Sequence, residues 1–291
     1  MKNIRFIINP KSGVKRNKDL TAYIDEIFDK QHFNCEIVYT SHPHHGIALA
    51  KEAVADQVDV IVAVGGDGSV NDVVNGMAGA NVTLGIVPLG SGNGLARSLD
   101  IPLDEAKALK IIKEGFELSI DLGKANEYYF ASNVGVGFDT VISNAFASLD
   151  NRGFASYVHL VWDHLTSFTP EKWEIEINDE VMKTEAFMIS VANAYQLGYN
   201  FTIAPEASIV DGLLNVVIIK PFPLIFAPII GSLAFLRNID KSHNVETKIT
   251  DKIVIRKPGK HLFQTDAEVH EFEDALHIEV LAKFMKVLVK K

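Results

Sequence analysis

Short apolar runs and amphipathic stretches alternate in the first part of the chain. The pattern predicts strands at residues 3–9, 33–39, 58–64 and 83–89, and the run at 58–64 is rich in valine and isoleucine, as is typical of a strand buried on both faces. Helical patterns cover residues 19–31 and 47–55, begin again at Val70, and end with a short helix through Leu99. Repeated strand–helix units predict a parallel sheet that binds ligands at the carboxyl ends of its strands.

After about Asp121 the pattern changes to a period of two. Residues 173–177 alternate strictly between apolar and polar, as do stretches within 252–257 and 276–289. This period indicates half-buried antiparallel strands. We therefore predict an α/β domain over residues 1–122, to which the C-terminal tail is free to return, and a β-rich domain over 123–291. A cleft between two such domains would suit a reaction of two substrates.

The longest apolar stretch covers residues 222–236 and contains Pro223 and Pro228. It is shorter than the roughly 20 residues that a bilayer-spanning helix needs. The stretch lacks the basic face that is usual in helices lying on a membrane. We expect a helix packed against its own domain, with contact to a bilayer as the alternative.

Composition removes several classes of function. The 291 residues are 47% hydrophobic and 22% charged, which is typical of globular proteins, and the formal net charge of −9 disfavours nucleic-acid binding. The only cysteine, Cys35, cannot form an internal disulfide, and we expect it in the core. No secretory pattern precedes the first strand, so we predict a cytoplasmic protein.

Three glycine-bearing loops follow predicted strands, at residues 9–13, 65–69 and 90–94. A strand, a glycine turn and a helix N-terminus together present backbone N–H groups to an anion. Ser69 and Asp72 have the spacing of an N-cap and capping box. Asp67 would repel phosphate, so its expected role is to hold Mg²⁺ or a water beside it. The combination predicts phosphoryl transfer, without a Walker A or G-x-G-x-x-G motif.

These loops resemble those of the diacylglycerol-kinase-like lipid kinases, which include sphingosine and ceramide kinases. The matching segments run in order along nearly the whole chain: 9–13 (NPKSG), 65–73 (GGDGSVNDV), 88–97 (PLGSGNGLAR), 121–123 (DLG), 133–139 (NVGVGFD), 204–207 (APEA), 211–214 (DGLL) and 266–268 (DAE). The resemblance implies a nucleotide-binding α/β domain, related to that of NAD kinases and phosphofructokinases, followed by a β-sandwich, with the active site in the cleft.

The resemblance also implies a set of ATP-binding residues on the three loops and after the second strand. They are Asn9, Ser12, Gly13, Thr40, Gly65, Gly66, Asp67, Gly68, Ser69, Val70, Asn71, Ser91, Gly92 and Asn93. A metal ion, Mg²⁺, would be held by the Asp211 carboxylate and by the backbone carbonyls of Ser208 and Leu213. Without the family, the segment around Asp211 would be interpreted as a turn.

Asp266 and Glu268 are two residues apart, so on a strand their carboxylates would face the same way. From spacing alone, solvated acids on an exposed strand face are as good an interpretation as a catalytic pair. In the family the acid at Glu268 is the base that accepts the proton of the lipid hydroxyl. We predict Glu268, Asp67 and Asp266 as catalytic residues, with Mg²⁺ on the phosphates of ATP.

Two positions depart from the family pattern. Many bacterial diacylglycerol kinases carry Asp at the position of Gly94, where this chain is closer to sphingosine and ceramide kinases. Ala267 replaces the usual glycine between the two acids, so the backbone there is expected to be a regular strand or slightly strained.

We therefore predict an ATP-dependent lipid kinase that acts on diacylglycerol. A sphingoid-base or ceramide kinase, a soluble-substrate kinase like NAD kinase, and a catalytically silent nucleotide-binding regulator are the alternatives. The implied partner is a lipid at the inner membrane surface, contacted transiently and peripherally. Nucleic acid is not an expected partner, and a homodimer is left open.

Overall fold

The computed structural model describes residues 1–12, 20–147, 149 and 154–291. The chain divides into two compact units: unit 1 contains Met1–Ile120 and Lys283–Lys291, and unit 2 contains Asp121–Ala282. The tail thus belongs to unit 1, and the division falls next to the predicted boundary at residue 122.

Unit 1 is built on a parallel sheet, as predicted. Its strands are β1 (Lys2–Ile8), β2 (Phe33–Tyr39), β3 (Val60–Gly65) and β4 (Thr83–Pro88). They are ordered β2–β1–β3–β4, and residues 286–287 of the last strand pair in parallel with β4. Every residue of β3 and β4 is buried, which accounts for their continuous apolar sequence.

Five helices flank this sheet among the described residues of unit 1: α1 (Leu20–Ile27), α2 (His45–Ala55), α3 (Asp67–Met77), α4 (Gly94–Ser98) and α5 (Glu105–Glu114). Helix α1 is shorter than predicted, because the His32 N–H is bonded to the Asp29 carboxylate and the Phe33 N–H to the Asp29 carbonyl. These bonds form a turn that replaces the last helical residues. Cys35 is half-buried rather than part of the core, and burial raises the pKa of its thiol to about 11.

Unit 2 is antiparallel, as the period of two predicted. Strand β5 (Phe116–Ala125) enters it from unit 1, and its other strands are β6 (Tyr128–Phe130), β7 (Asn133–Gly137), β8 (Glu171–Ile177), β9 (Glu180–Ala186), β10 (Met188–Ala192), β11 (Gln196–Gly198), β12 (Phe201–Thr202), β13 (Leu214–Ile219), β14 (Val245–Thr250), β15 (Lys252–Thr265) and β16 (Glu268–Val289). The main sheet runs β14–β13–β10–β7–β15–β16. In β8, Trp173, Ile175 and Ile177 point into a hydrophobic core that includes Phe130, Phe263 and Phe272, and the residues between them do not.

The described helices of unit 2 are α6 (Phe138–Ala147), α7 (Phe154–Leu165) and α8 (Ala227–Phe235), with one short 3₁₀ helix (Leu224–Phe226) before α8 and another (Ile239–Lys241) after it. A second core lies beneath them and includes Phe138, Leu165 and Ile230. As expected, residues 222–236 pack against their own domain, because Ile230 and Ala234 are buried in this core, but the segment also leaves Ile225 79% and Leu236 68% exposed. In the part of the chain that the structure describes, no helix is long and apolar enough to cross a membrane.

Candidate active site

The carboxyl ends of four parallel strands bring the predicted nucleotide-binding loops to one edge of unit 1. Ile8 is opposite both Tyr39 and Val64, and Gly65 is opposite Pro88. Consequently the residues that follow these strands are neighbours across the sheet. The N–H groups of Thr40 and Asn9 continue the ladder, donating to the carbonyls of Ile8 (2.9 Å) and Val64 (3.0 Å).

Asn9 connects the first loop to the start of α3. Its side-chain amide donates to Ser69 Oγ at 3.2 Å, and its Oδ1 accepts the Lys11 N–H at 3.0 Å. Ser12 is on the same side, because a Cβ built on Gly65 would clash with Ser69 Oγ and lie 3.5 Å from Ser12 Oγ. The two hydroxyls therefore converge on a position that only a glycine leaves open. Gly13, the last predicted residue of this loop, lies outside the described residues.

Helix α3 begins earlier than the sequence predicted. Its N-cap is Gly66, in an extended conformation, and the helix starts at Asp67. The prediction of Ser69 as N-cap, with Asp72 completing a capping box, is therefore wrong: both residues lie inside the helix. The N–H groups of the first turn, including those of Gly68 and Ser69, have no partner within a helix and carry its positive dipole end.

The Asp67 carboxylate is bonded to the loop after β4. Its Oδ2 accepts the Asn93 N–H at 2.8 Å and its Oδ1 accepts the Gly94 N–H at 2.6 Å, at the point where α4 begins. Bonds from backbone N–H groups to a carboxylate are charge-assisted and hence stronger than neutral ones. Asp67 therefore holds two of the glycine loops together, a role that the sequence did not indicate.

The third loop is closed by its own side chains. Asn93 has a φ of 55° and forms two hydrogen bonds with Gly90, accepting its N–H at 3.0 Å and donating to its carbonyl at 2.7 Å. The side chain of Arg97 donates to the Gly92 carbonyl at 2.8 Å. These bonds fix the backbone around Ser91 and Gly92, the other predicted ATP contacts of this loop.

Gly66 and Gly90 approach each other closely between the second and third loops. A Cβ built on Gly90 would lie 2.5 Å from the Gly66 Cα, whereas one built on Gly66 would lie 3.1 Å from the Gly90 Cα. Beside them, the Leu89 N–H donates to the Gly65 carbonyl at 2.7 Å. A side chain at position 90 would therefore clash with the Gly66 backbone, whereas one at position 66 would make a close contact that a small shift could relieve.

Asp266 and Glu268 in unit 2 do not lie on one strand, and that expectation is wrong. Asp266 and Ala267 form the turn between β15 and β16, with φ values of 48° and 73°, and Thr265 is opposite Glu268. Two successive positive φ values are typical of a type I′ hairpin turn. Ala267 therefore adopts the strained alternative of the two that the sequence left open.

The Asp266 carboxylate is bound by backbone N–H groups. It accepts those of Ala131 and Ser132, both at 2.8 Å, and that of Asn133 at 3.0 Å. Glu268 is half-buried as the first residue of β16. The hairpin that carries Glu268 is therefore fastened to the segment between β6 and β7 through Asp266.

A buried acid that sequence reasoning missed lies behind this hairpin. Asp139 Oδ2 accepts from the side-chain amide of Gln264 at 2.8 Å, and the other end of that amide accepts the Ala267 N–H at 2.7 Å. Burial raises the pKa of Asp139 from 3.8 to about 6, against the opposing effect of its bonds from Gln264 and Asn133. Its place in the NVGVGFD segment of the family resemblance was the one available signal.

The predicted metal ligands Ser208, Asp211 and Leu213 lie in one loop of unit 2. Asp211 is exposed and accepts the Leu213 N–H at 3.0 Å, while the fully buried Asp121 accepts the Gly212 N–H at 2.6 Å and so fixes the turn. One carboxylate and two backbone carbonyls are hard oxygen donors, which fit Mg²⁺ in kind. A cluster of three or more His, Cys, Asp or Glu side chains suited to a metal does not occur among the described residues.

Family models match both units of the chain. One described as a diacylglycerol kinase catalytic domain matches residues 3–125, and one described as a YegS C-terminal NAD kinase beta sandwich-like domain matches residues 132–280. The latter covers just over half of the 291 residues.

Named relatives agree with the family models. A protein named diacylglycerol kinase from Bacillus subtilis (strain 168) is 29% identical over 274 residues, which cover 92% of this chain and 90% of the relative. A protein named as a YegS-like lipid kinase from Klebsiella pneumoniae (strain 342) is 30% identical over 227 residues, covering 76% and 75%. The solved structure of a diacylglycerol kinase from Bacillus anthracis str. Sterne shares the fold, with a TM-score of 0.74 at 22% identity over 99% of this chain and 97% of that one.

Proposed function

The chain belongs to the family of diacylglycerol kinases and YegS-like lipid kinases, and we propose on that premise that it transfers the γ-phosphate of ATP to a lipid hydroxyl. Diacylglycerol is the proposed acceptor, as the names of several relatives suggest. The observation that carries the proposal is the joined set of glycine loops at the carboxyl edge of the unit 1 sheet. Asp67, Asn93 and Asn9 hold these loops in one arrangement.

The nucleotide is proposed to lie on these loops. The first turn of α3 offers N–H groups and a dipole suited to phosphate oxygens, and the convergent hydroxyls of Ser12 and Ser69 would donate to the same phosphates. Glycines at 65 and 90 let the loops pack closely beside this site, because a Cβ at position 65 would meet the Ser69 side chain and one at position 90 would meet the Gly66 Cα. Thr40 and Ser91 would complete the site at its two sides.

Mg²⁺ is proposed to neutralise charge on the phosphates during transfer. In unit 1 Asp67 would hold the ion or one of its water ligands, and in unit 2 the oxygens of Ser208, Asp211 and Leu213 would hold the structural ion that the family resemblance implies. The transfer itself forms a bond from the lipid hydroxyl oxygen to the γ-phosphorus. The bond to the oxygen bridging the β- and γ-phosphorus atoms breaks, and ADP leaves.

Glu268 is proposed to accept the proton that the hydroxyl loses. Its position on a hairpin tied down by Asp266 and Gln264 supports this role, because a general base must be held within hydrogen-bond reach of its proton. Asp266 is proposed to contribute by positioning, since its carboxylate accepts three backbone N–H groups.

Gly94 is the reason for proposing a second class of lipid acceptor. The Gly94 N–H donates to Asp67, so position 94 lies beside the proposed metal site. A side-chain carboxylate, which many bacterial diacylglycerol kinases carry there, is missing from this chain. The sphingosine and ceramide kinase pattern at this position makes a sphingoid base or ceramide the alternative acceptor.

The test offers labelled ATP with diacylglycerol, sphingosine, ceramide or NAD in mixed micelles containing Mg²⁺. We expect label in the diacylglycerol product. Transfer only to sphingosine or ceramide would select the alternative acceptor, and transfer only to NAD would refute a lipid kinase. ATP binding without transfer to any acceptor would favour a regulatory protein.

Two substitutions with matched controls test the residue roles. Glu268→Gln should abolish transfer, while Glu273→Gln on the exposed side of the same strand should leave it unchanged. Asp67→Asn should also abolish transfer, with the exposed Asp25→Asn of α1 as its control. Normal turnover in Glu268→Gln would assign the base to another residue.

A further inference from the structure

The segment between Lys220 and Arg237 carries no charged residue and exposes large apolar side chains on unit 2. We name these side chains the apolar ridge; they are Leu224, Ile225, Phe226, Ile229, Phe235 and Leu236, with exposed fractions from 44% to 79%. Scattered apolar residues are common on protein surfaces, but a contiguous set of this size indicates an interaction site.

Three residues of the ridge, Ile225, Ile229 and Leu236, lie on one face of α8 and its flanks, and the opposite face of the helix is packed. Along α8 and its flanks, exposure recurs at residues 225, 229, 232 and 236, the spacing of a helical face. Ile230 and Ala234 point the other way and belong to the second core of unit 2. The helix is therefore anchored, and the exposure of the ridge does not reflect a loose segment.

The backbone and hydroxyl groups of the ridge are suited to an apolar surrounding. Pro221, Pro223 and Pro228 have no N–H, and the Phe226 N–H donates to the Pro223 carbonyl at 2.9 Å. Ser232, the only hydroxyl residue on the exposed face, donates to the Pro228 carbonyl at 2.7 Å. Unpaired polar groups are costly in hydrocarbon, and these features reduce their number.

Cationic residues flank the ridge at both ends. Arg237 follows it directly, with its guanidinium 4.9 Å from the centre of the Tyr195 ring, and Lys241 is four residues further along the chain. Lys220 precedes the ridge and pairs with Glu246 at 2.9 Å. Asp240 and Glu246 are the acids beside these three cations, so the charged groups flanking the ridge carry a small net positive charge, as suits an anionic bilayer surface.

We propose that the apolar ridge is the surface by which this protein inserts into the interface of an anionic lipid bilayer. The proposal rests on the proposed function, because a kinase acting on a membrane lipid must reach the bilayer. Interfacial helices bury their apolar side chains at the boundary between headgroups and acyl chains, with cations beside them. The flanking Arg237 and Lys241 would contact lipid phosphates in that arrangement.

The experiment measures binding of the intact protein to sedimenting vesicles of phosphatidylcholine and phosphatidylglycerol, without ATP or acceptor. The variant is Ile225→Ser/Ile229→Ser, and the control is Val181→Ser, which removes a 60% exposed apolar side chain from β9. We expect binding by the unmodified chain and the control, and a loss of at least about tenfold per substituted side chain in the variant.

Vesicle binding by the variant equal to that of the control would overturn the proposal, and so would the absence of binding by the unmodified chain. A concentration-dependent dimer that the variant abolishes, without vesicle binding, would also overturn it and assign the ridge to a second copy of the chain. Transfer to a short-chain diacylglycerol dispersed as monomers is measured separately. Its absence, together with the absence of transfer to sphingosine and ceramide, would refute the proposed function while the vesicle result still decides the ridge.

Discussion

Replacing Ala267 by glycine should stabilise unit 2, because this alanine lies in the left-handed region. Its φ is 73°, and it is the second residue of the turn between β15 and β16. Turns of this kind favour Asn-Gly or Asp-Gly, and here Asp266 is followed by alanine. Ala267 is exposed, so its methyl group contributes little burial that the substitution would remove.

The magnitude follows from two opposing effects. The left-handed conformation costs an L-residue roughly 1–2 kcal/mol. A glycine gains roughly 0.5–1 kcal/mol of conformational freedom in the unfolded chain, which opposes the benefit. The net stabilisation expected for Ala267→Gly is about 1 kcal/mol, or an increase of about 2–4 °C in melting temperature for a domain of this size.

The assay is urea unfolding, with the slope against denaturant checked for constancy. The matched control is Asp179→Gly, since Asn178 and Asp179 form an equivalent turn between β8 and β9, with a φ of 64° at Asp179. Aspartate tolerates this conformation better than alanine, so the control should gain less. The strain argument fails if Ala267→Gly is no more stabilising than Asp179→Gly.

Three further predictions concern the loops and the buried acid. Asp67→Asn should cost about 2 kcal/mol of unfolding free energy, because its amide would turn a donor toward a backbone N–H that the carboxylate now accepts; chemical denaturation beside the wild type measures it. Gly90→Ala should cost about 1–3 kcal/mol and Gly66→Ala less, given their Cβ distances to the opposite Cα of 2.5 and 3.1 Å; equal melting temperatures would contradict this. The raised pKa of Asp139 means that the stability it contributes is complete below its unfolded value of 3.8 and is lost as the pH rises through about 6. As the pH rises from 3.8 to above 6, the free energy of unfolding should therefore fall by up to about 3 kcal/mol on account of Asp139. Asp139→Asn should remove this fall, which urea unfolding at several pH values measures.

The local sequence pattern was sufficient to predict the bounds of the strands in unit 1 to within two residues. Strand β2 has the predicted bounds, Phe33–Tyr39, and β3 and β4 differ from their predicted bounds by one or two residues. The apolar runs of β3 and β4 leave few alternatives to a strand covered on both faces, whereas every residue of β2 is half-buried or exposed. The end of α1 was less predictable, because the bonds of Asp29 to the following turn compete with further helix.

Long-range contacts account for the features that the sequence did not reveal. Serine is a residue type typical of an N-cap, but the helix starts at Asp67, two residues before Ser69. The Asp67 carboxylate accepts the N–H groups of Asn93 and Gly94, which are far along the chain. The turn at 266–267 lacks the glycine that usually marks a hairpin. Its Asp266 is instead held by the N–H groups of residues 131–133, a contact that no local pattern shows.

These contacts change how loss of activity in the predicted catalytic acids should be interpreted. Asp67 and Asp266 each accept two or more backbone N–H groups, so substituting either would shift the loops or the hairpin as well as remove a charge. A loss of transfer in those variants would therefore be consistent with displaced neighbours alone. Glu268 begins its strand beyond the turn that Asp266 anchors, so Glu268→Gln preserves that anchor. The assignment of proton transfer consequently depends on Glu268, and a change in its pH profile with an unchanged unfolding free energy would distinguish chemistry from positioning.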